Sequence, residues 1–135
     1  MKVVKKKILF LCTGNVARSQ MSEALANAFH GDVVEAVSAG SRPGSGIHPL
    51  AVRALAEKGI DAAGAPSKNA SEFVNEEFDV VVTVCDSAAQ DCPLWPGAKR
   101  IEHWPIVDPG AGGYPRFVEI RDELEARIDE LVKRL

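Results

Sequence analysis

A cysteine and an arginine that bracket a short loop are the residues of this chain most suited to chemistry. Cys12 ends the apolar run 8–11, and Arg18 follows six positions later, just before a predicted helix. The backbone N–H groups of such a loop can wrap a tetrahedral oxyanion while the guanidinium binds two of its oxygens. The spacing therefore predicts an oxyanion site in which Cys12 attacks the central atom. We expect the anion to be held by Thr13, Gly14, Asn15, Val16, Ala17 and Arg18.

The protonation state of Cys12 matters because the thiolate is the nucleophile. A helix N-terminus and a guanidinium both lower the pKa of a thiol, so the sequence predicts a thiolate at Cys12. The Ser19 hydroxyl can donate to that thiolate and cap the helix. A lone cysteine at a strand end is more often a packing residue. Gly14, which permits unusual backbone angles, and Asn15, which can hold a loop through its side chain, favour the catalytic interpretation.

Asp108, followed by Pro109 in a glycine-rich stretch, is the candidate general acid. Displacement of an oxygen from phosphorus or arsenic requires a proton on the departing oxygen, and an aspartate on a proline-stiffened loop can supply it. Alone, an Asp-Pro pair in such a stretch is more often only a turn. Its pairing with the anion loop favours the catalytic interpretation.

Cys85 and Cys92, the other two cysteines, lie seven positions apart. In a straight helix this spacing separates them by about 10 Å along the axis, too far for a disulfide bond. A bond between them would require the intervening turn to rearrange, which suits a redox relay better than a structural bridge. The alternative is two unrelated cysteines at a helix edge.

The elements that position these residues alternate between apolar runs and amphipathic stretches, a pattern typical of a parallel sheet flanked by helices. We predict a single α/β domain over residues 1–135, with a four-stranded parallel sheet and helices on both faces. Because open α/β sheets bind ligands beyond the carboxyl ends of their strands, Cys12, Cys85 and the Asp108 loop should share one rim. The predicted strands are 7–12, 33–39, 78–84 and 99–102; the predicted helices are 19–30, 49–58, 71–77 and 116–135, with a helical turn within 87–92.

Composition narrows the possible partners and compartment. The 135 residues carry a formal net charge of −3, so no basic face is available for nucleic acid. No apolar stretch is long enough to span a membrane, and the N-terminus lacks the apolar core of a signal peptide. We therefore expect a cytoplasmic protein that binds neither nucleic acid nor membrane and is a monomer. Three cysteines without zinc-ligand spacing indicate reactive thiols there, and no metal or cofactor is expected.

The chain resembles the low-molecular-weight protein tyrosine phosphatase superfamily, and more closely the thioredoxin-coupled arsenate reductases built on that fold. The resemblance covers nearly the whole chain, and the spacing of the three cysteines is its specific part. It implies a sheet with the flavodoxin-like strand order 2-1-3-4. The matching segments are Cys-Thr-Gly-Asn at 12–15, Arg-Ser-Gln-Met at 18–21, Ser-Ala-Gly at 38–40, Val-Val-Thr at 81–83 before Cys85 and Cys92, Glu-His-Trp at 102–104, Asp108-Pro109 and the helix 118–128.

This resemblance implies a thiol relay that reduces arsenate, with phosphate and sulfate as mimics of the substrate. Cys12 attacks arsenate held by Arg18 and the loop amides, with Ser19 beside it, and Asp108 protonates the departing hydroxide. Cys85 then attacks Cys12 and releases arsenite, Cys92 attacks Cys85, and thioredoxin reduces the final Cys85–Cys92 disulfide.

Two other functions remain open from sequence. The first is a phosphatase that hydrolyses phosphomonoesters through Cys12, Arg18 and Asp108. Such phosphatases usually follow Asp-Pro with aromatic residues, whereas Gly-Ala-Gly-Gly follows here. The second is a phosphoryl-carrier or sensor module in which Cys12 only accepts a group. It would need neither Asp108 nor the Cys85 and Cys92 pair, so it explains less of the sequence.

Overall fold

The computed structural model describes residues 4–85 and 95–135. Cys92 and the predicted helical turn within 87–92 lie outside these residues. The elements in chain order are β1 (Lys6–Cys12), α1 (Arg18–His30), β2 (Val34–Gly40), α2 (Pro49–Ala56), a 3-10 helix (Ala70–Phe73), β3 (Val80–Thr83), β4 (Ile101–His103), a second 3-10 helix (Gly110–Gly112) and α3 (Gly113–Lys133).

The four strands form one parallel sheet in the order β2-β1-β3-β4, which confirms the predicted strand number, direction and order. β1 is central, with its last residue Cys12 in register with Gly40 of β2 and Leu11 in register with Thr83 of β3. The apolar run 8–11 is buried because a central parallel strand is covered on both faces. The carboxyl ends of the strands consequently meet at one rim, where the predicted site residues follow.

The three α-helices are in contact with one another, and α1 packs on β1 and β2. α3 buries one apolar face against the rest of the protein. On α1, Met21 and Leu25 are buried, whereas Phe29 is 45% exposed. The buried side chains on α3 are Phe117, Ile120, Leu124, Ile128 and Leu131, together with Arg121, which donates to the carbonyl of Ala54 in α2.

Several boundaries differ from prediction. α3 begins at Gly113, before Pro115, because a proline in the first turn sacrifices no helical hydrogen bond. The predicted helix 71–77 is a single 3-10 turn, whose N-terminus is closed by reciprocal bonds between Asn69 and Glu72. β3 is shorter than predicted, and Phe78 forms only an isolated bridge to Ala98. β4 starts at Ile101, two residues later than predicted.

In the part of the chain that the structure describes, no helix is long and apolar enough to cross a membrane.

Candidate active site

Donors from the surrounding segments bind every carbonyl of the anion loop, residues 12–17. Its peptides are trans, so each N–H points away from the preceding carbonyl and hence into the loop. The loop therefore presents a concave row of amide donors suited to an oxyanion. The donors to its carbonyls are Ser41 N to Cys12, Arg42 N to Thr13, Gly44 N to Gly14, Ser67 Oγ to Asn15, His48 N to Val16 and Met21 N to Ala17, at 2.7–3.2 Å.

Asn15 holds the loop in this shape. It has a φ of 53°, in the left-handed region that asparagine tolerates better than most side chains. It is fully buried, and its side-chain Nδ2 donates to Ser19 Oγ at 2.8 Å and to Ser38 Oγ at 2.9 Å. The sequence predicted bonds from the Asn15 side chain to the backbone; the structure has one of that kind, from Lys68 N to Asn15 Oδ1, in addition to these two bonds to serine side chains. Ser19 is also buried. It does not cap α1, because the helix begins at Arg18 and its N-cap residue is therefore Ala17; no side chain caps this end of the helix.

A second segment, residues 66–68, for which the sequence predicted no helix or strand, contacts the loop from behind. Gln20 Nε2 donates to Pro66 O at 2.8 Å, and Ser67 Oγ donates to Asn15 O at 2.8 Å. Lys68 N donates to Asn15 Oδ1 at 2.8 Å. The available signal was the polar run Ser19, Gln20 and Ser22 at the start of an otherwise apolar helix face, since buried polar side chains require partners.

Cys12 and Cys85 lie together at the rim, as the strand register requires. Val84 N donates to Leu11 O at 2.8 Å. The residues that follow these two, Cys85 and Cys12, are therefore neighbours. The two cysteine side chains are hydrogen-bonded. Thr13 Oγ1 lies 3.4 Å from Cys85 Sγ, and both cysteines are buried. The predicted proximity of these two thiols is therefore a feature of the fold.

The predicted lowering of the Cys12 pKa is wrong for this state of the protein. The hydrogen bond with Cys85 and burial raise the pKa of Cys12 well above that of a free thiol. Arg18, as the sequence predicted, and the Gly14 N–H both lower the pKa of Cys12, but they are outweighed. The prediction failed because Cys85 is brought against Cys12 by the fold and is distant from it in sequence. Two thiols in contact titrate as a coupled pair.

Arg18 reaches from the start of α1 towards the loop that carries Asp108. Its Nη1 donates to Ile106 O at 3.0 Å, and its Nη2 lies 4.0 Å from Asp108 Oδ2. The other carboxylate oxygen of Asp108 accepts from Gly110 N at 3.0 Å, and the side chain is 72% exposed. The carboxyl group thus lies in the cleft beside the guanidinium, largely exposed to solvent.

Arg18 and Asp108 line one cleft of about 530 Å³, and Cys12 is not among the residues that line it. The cleft brings together Arg18, Cys85 and Asp108, with Thr13 from the anion loop and an apolar wall from the loop after β4. Cys92 lies outside the described residues, so its place relative to this cleft stays a prediction. The lining residues are Thr13, Arg18, Cys85, Pro105, Ile106, Val107 and Asp108.

A loop at the end of a parallel strand, with a cysteine and an arginine at its two ends, is an arrangement that suits an enzyme with a cysteine nucleophile and an oxyanion substrate. The chain belongs to the low-molecular-weight phosphotyrosine protein phosphatase family, whose model matches residues 7–135.

Its relatives within that family include arsenate reductases. One from Brevibacillus brevis is 39% identical over 129 residues, covering 96% of both chains. The thioredoxin-dependent arsenate reductase of Corynebacterium glutamicum is 35% identical with a TM-score of 0.79, covering 96% of this chain and 61% of that one. The structure of an arsenate reductase in a phosphate-binding state superposes with a TM-score of 0.86 at 28% identity, covering 96% and 98%. The resemblance expected from the motifs is confirmed.

Proposed function

We propose that this protein reduces arsenate to arsenite through a relay of its three cysteines, with thioredoxin as the final reductant. The observation that carries the proposal is the hydrogen-bonded contact between Cys12 and Cys85 at a cleft that also contains Arg18 and Asp108. A phosphatase of this family needs a nucleophile, a guanidinium and an acid. The second thiol against the nucleophile is an addition that hydrolysis does not use.

In the first step, the loop amides and Arg18 bind arsenate and the Cys12 sulfur attacks arsenic. A sulfur–arsenic bond forms and an arsenic–oxygen bond breaks, with Asp108 giving its proton to the departing oxygen, which leaves as water. The Arg18 guanidinium and the amide dipoles stabilise the negative charge on the remaining oxygens. The Cys12 proton must leave for this attack, and a negatively charged oxygen of the bound arsenate accepts it.

In the second step, the Cys85 sulfur attacks the Cys12 sulfur. A disulfide bond forms, the sulfur–arsenic bond breaks, and its electron pair stays on arsenic, which is thereby reduced from arsenate to arsenite. Cys92 then attacks Cys85, releasing Cys12 as a thiolate. Thioredoxin donates two electrons to the Cys85–Cys92 disulfide and restores all thiols.

The test is arsenate-dependent NADPH consumption with thioredoxin and thioredoxin reductase. We expect the Cys85→Ser and Cys92→Ser variants to lose turnover. Hydrolysis of p-nitrophenyl phosphate is the control reaction, because it uses Cys12, Arg18 and Asp108 only: Cys92→Ser should keep the hydrolysis of the parent, and Cys85→Ser should not lose it. Turnover of arsenate by both variants at the parental rate would refute the relay.

The alternative function is hydrolysis of phosphomonoesters, which the family and the same anion loop favour. No aromatic side chain lines the cleft within the described residues, so nothing there frames a phenyl ring. A phosphatase would show high turnover of phosphotyrosine peptides and no arsenate-dependent NADPH consumption.

A further inference from the structure

The segment between β4 and Asp108 holds the Arg18 guanidinium by one of its corners. Arg18 Nη1 donates to Ile106 O at 3.0 Å, and Arg18 Nη2 lies 4.0 Å from Asp108 Oδ2, too far for a hydrogen bond. Within residues 4–85 and 95–135, the Arg18 side chain forms no other hydrogen bond. The parallel N–H groups on Nε and Nη2, which form the fork of a guanidinium, therefore remain available to two oxygens of a ligand.

A tight turn presents the Ile106 carbonyl. Ile106 N donates to Trp104 O at 2.8 Å, and this bond closes a γ-turn around Pro105. Proline cannot take a positive φ, so this is the inverse γ-turn, whose central residue has a φ of about −75°. The proline ring fixes φ at about −65°, close to that value. The residue type at position 105 therefore favours the turn before any tertiary contact is made.

The turn starts from a residue that the fold holds on three sides. Trp104 N donates to Thr83 O at 2.8 Å, and the indole Nε1 of Trp104 donates to Glu102 Oε1 at 3.1 Å. The Trp104 ring packs against Phe10, with ring centroids 5.9 Å apart, and the residue is buried. The carbonyl at the end of the turn is therefore placed by a fixed starting residue and by the φ of Pro105.

Holding the guanidinium before a ligand binds reduces the cost of binding. Arginine has many rotamers, and ordering such a side chain on binding costs free energy that a side chain already held does not lose. With Nη1 on the Ile106 carbonyl, Arg18 has fewer orientations to lose when an oxyanion enters the cleft. Its free fork can then take two oxygens without a search through rotamers.

We propose that Pro105 is a positioning residue for Arg18: the proline ring fixes the turn that presents the Ile106 carbonyl, and this carbonyl holds the guanidinium in place for a tetrahedral oxyanion. The role rests on the proposed binding of an oxyanion by Arg18 and the anion loop. It acts through the backbone and requires no contact between the Pro105 ring and the ligand.

The test measures phosphate binding by calorimetric titration in variants of position 105. We expect Pro105→Gly to raise the phosphate Kd by about threefold to tenfold, the factor that one net hydrogen bond represents. Pro105→Ala should raise it less, because alanine restricts the backbone more than glycine does. Pro105 itself lines the cleft, and both variants remove its ring. Equal rises in the two variants would assign the effect to the ring and overturn the proposal.

Pro96→Gly is the matched control. Pro96 is exposed and precedes Gly97, whose carbonyl accepts from Phe78 N at the end of the sheet away from the cleft. This substitution also exchanges a surface proline for glycine and gives the unfolded chain the same added freedom, so it should lower the melting temperature comparably. The phosphate Kd should stay parental. A rise equal to that of Pro105→Gly would show a general loss of stability and contradict the proposed role.

A double-mutant cycle shows whether the effect passes through Arg18. Lysine keeps a cation but has no fork for the Ile106 carbonyl to orient. In an Arg18→Lys background, Pro105→Gly should therefore raise the phosphate Kd by no more than about twofold, and the two substitutions should be non-additive. The same fold-change in both backgrounds would mean that Pro105 does not act through the guanidinium.

The NMR signal of the Arg18 Nε–H group gives a second readout that a merely structural role would not move. Without ligand, this group should be ordered in the parent and in Pro96→Gly, and mobile in Pro105→Gly. An equally ordered Arg18 in Pro105→Gly would overturn the proposal. These measurements need no turnover, so a failure of arsenate reduction leaves their result standing. A parent protein that binds no phosphate would refute the anion site and this proposal together.

Discussion

Gly40, the last residue of β2, lies where a single methyl group would displace the anion loop. It is in register with Cys12, and a Cβ at this position would stand 2.5 Å from Thr13 O and 3.1 Å from Asn15 N. Both neighbours are backbone atoms of the loop, so no side chain can rotate away. The Gly40→Ala substitution must therefore move the backbone that presents the anion-binding amides.

The displacement required is close to an ångström, because ordinary contacts of a Cβ begin near 3.4 Å. Overpacking of this kind costs about 1–3 kcal/mol of stability, which corresponds to roughly 3–12 °C in the melting temperature of a domain this size. A misplacement of about 1 Å in a catalytic site costs on the order of 100-fold in rate. We expect the Kd for phosphate to rise about tenfold or more and kcat/KM for arsenate to fall by about 100-fold.

Gly97→Ala is the matched control. A Cβ there would stand 2.4 Å from Glu76 O, also a backbone atom, but Gly97 lies near the start of β3, at the end of the sheet away from the cleft. It should lower the melting temperature comparably while the phosphate Kd stays parental. Calorimetric titration with phosphate and thermal unfolding measure both quantities. A Gly40→Ala protein that binds phosphate within twofold of the parent would refute the assignment of this loop as the anion site.

Three further predictions concern the cleft. Arg18→Lys should raise the phosphate Kd by about 10–100-fold in titration calorimetry, because an ammonium cannot bind two oxygens in a fork. Asp108→Asn should lower kcat for arsenate by about 100-fold or more in the coupled assay, with the phosphate Kd unchanged. Cys85→Ala should displace Cys12 alkylation, followed by mass spectrometry, to lower pH, since the Cys85 sulfur raises the pKa of Cys12; a displacement to higher pH would contradict the coupled thiol pair.

Much of the candidate site could be predicted from local pattern. Strand β1 and the start of α1 are encoded by a short apolar run and a following amphipathic period, and Cys12 and Arg18 stand at their junction. The shared rim for Cys12, Cys85 and Asp108 followed from the rule that parallel strands end on the same side. Ser67 and Pro66 could not be placed, because they reach Asn15 and Gln20 through more than 40 intervening residues and carry no periodic signal of their own.

The sequence by itself determined which groups are present and in what order: one nucleophile, one guanidinium, one acid and two further thiols, on a chain whose apolar periodicity specifies a parallel sheet. The groups and their order are read directly from the chain, and the apolar periodicity depends only on residues that are close together in sequence. Only the tertiary structure decided the electrostatics of Cys12, because pairing of β1 with β3 brings Cys85 against it and buries both sulfurs. A pKa depends on charges and solvent within a few ångströms in space, and those neighbours are chosen by folding rather than by sequence proximity.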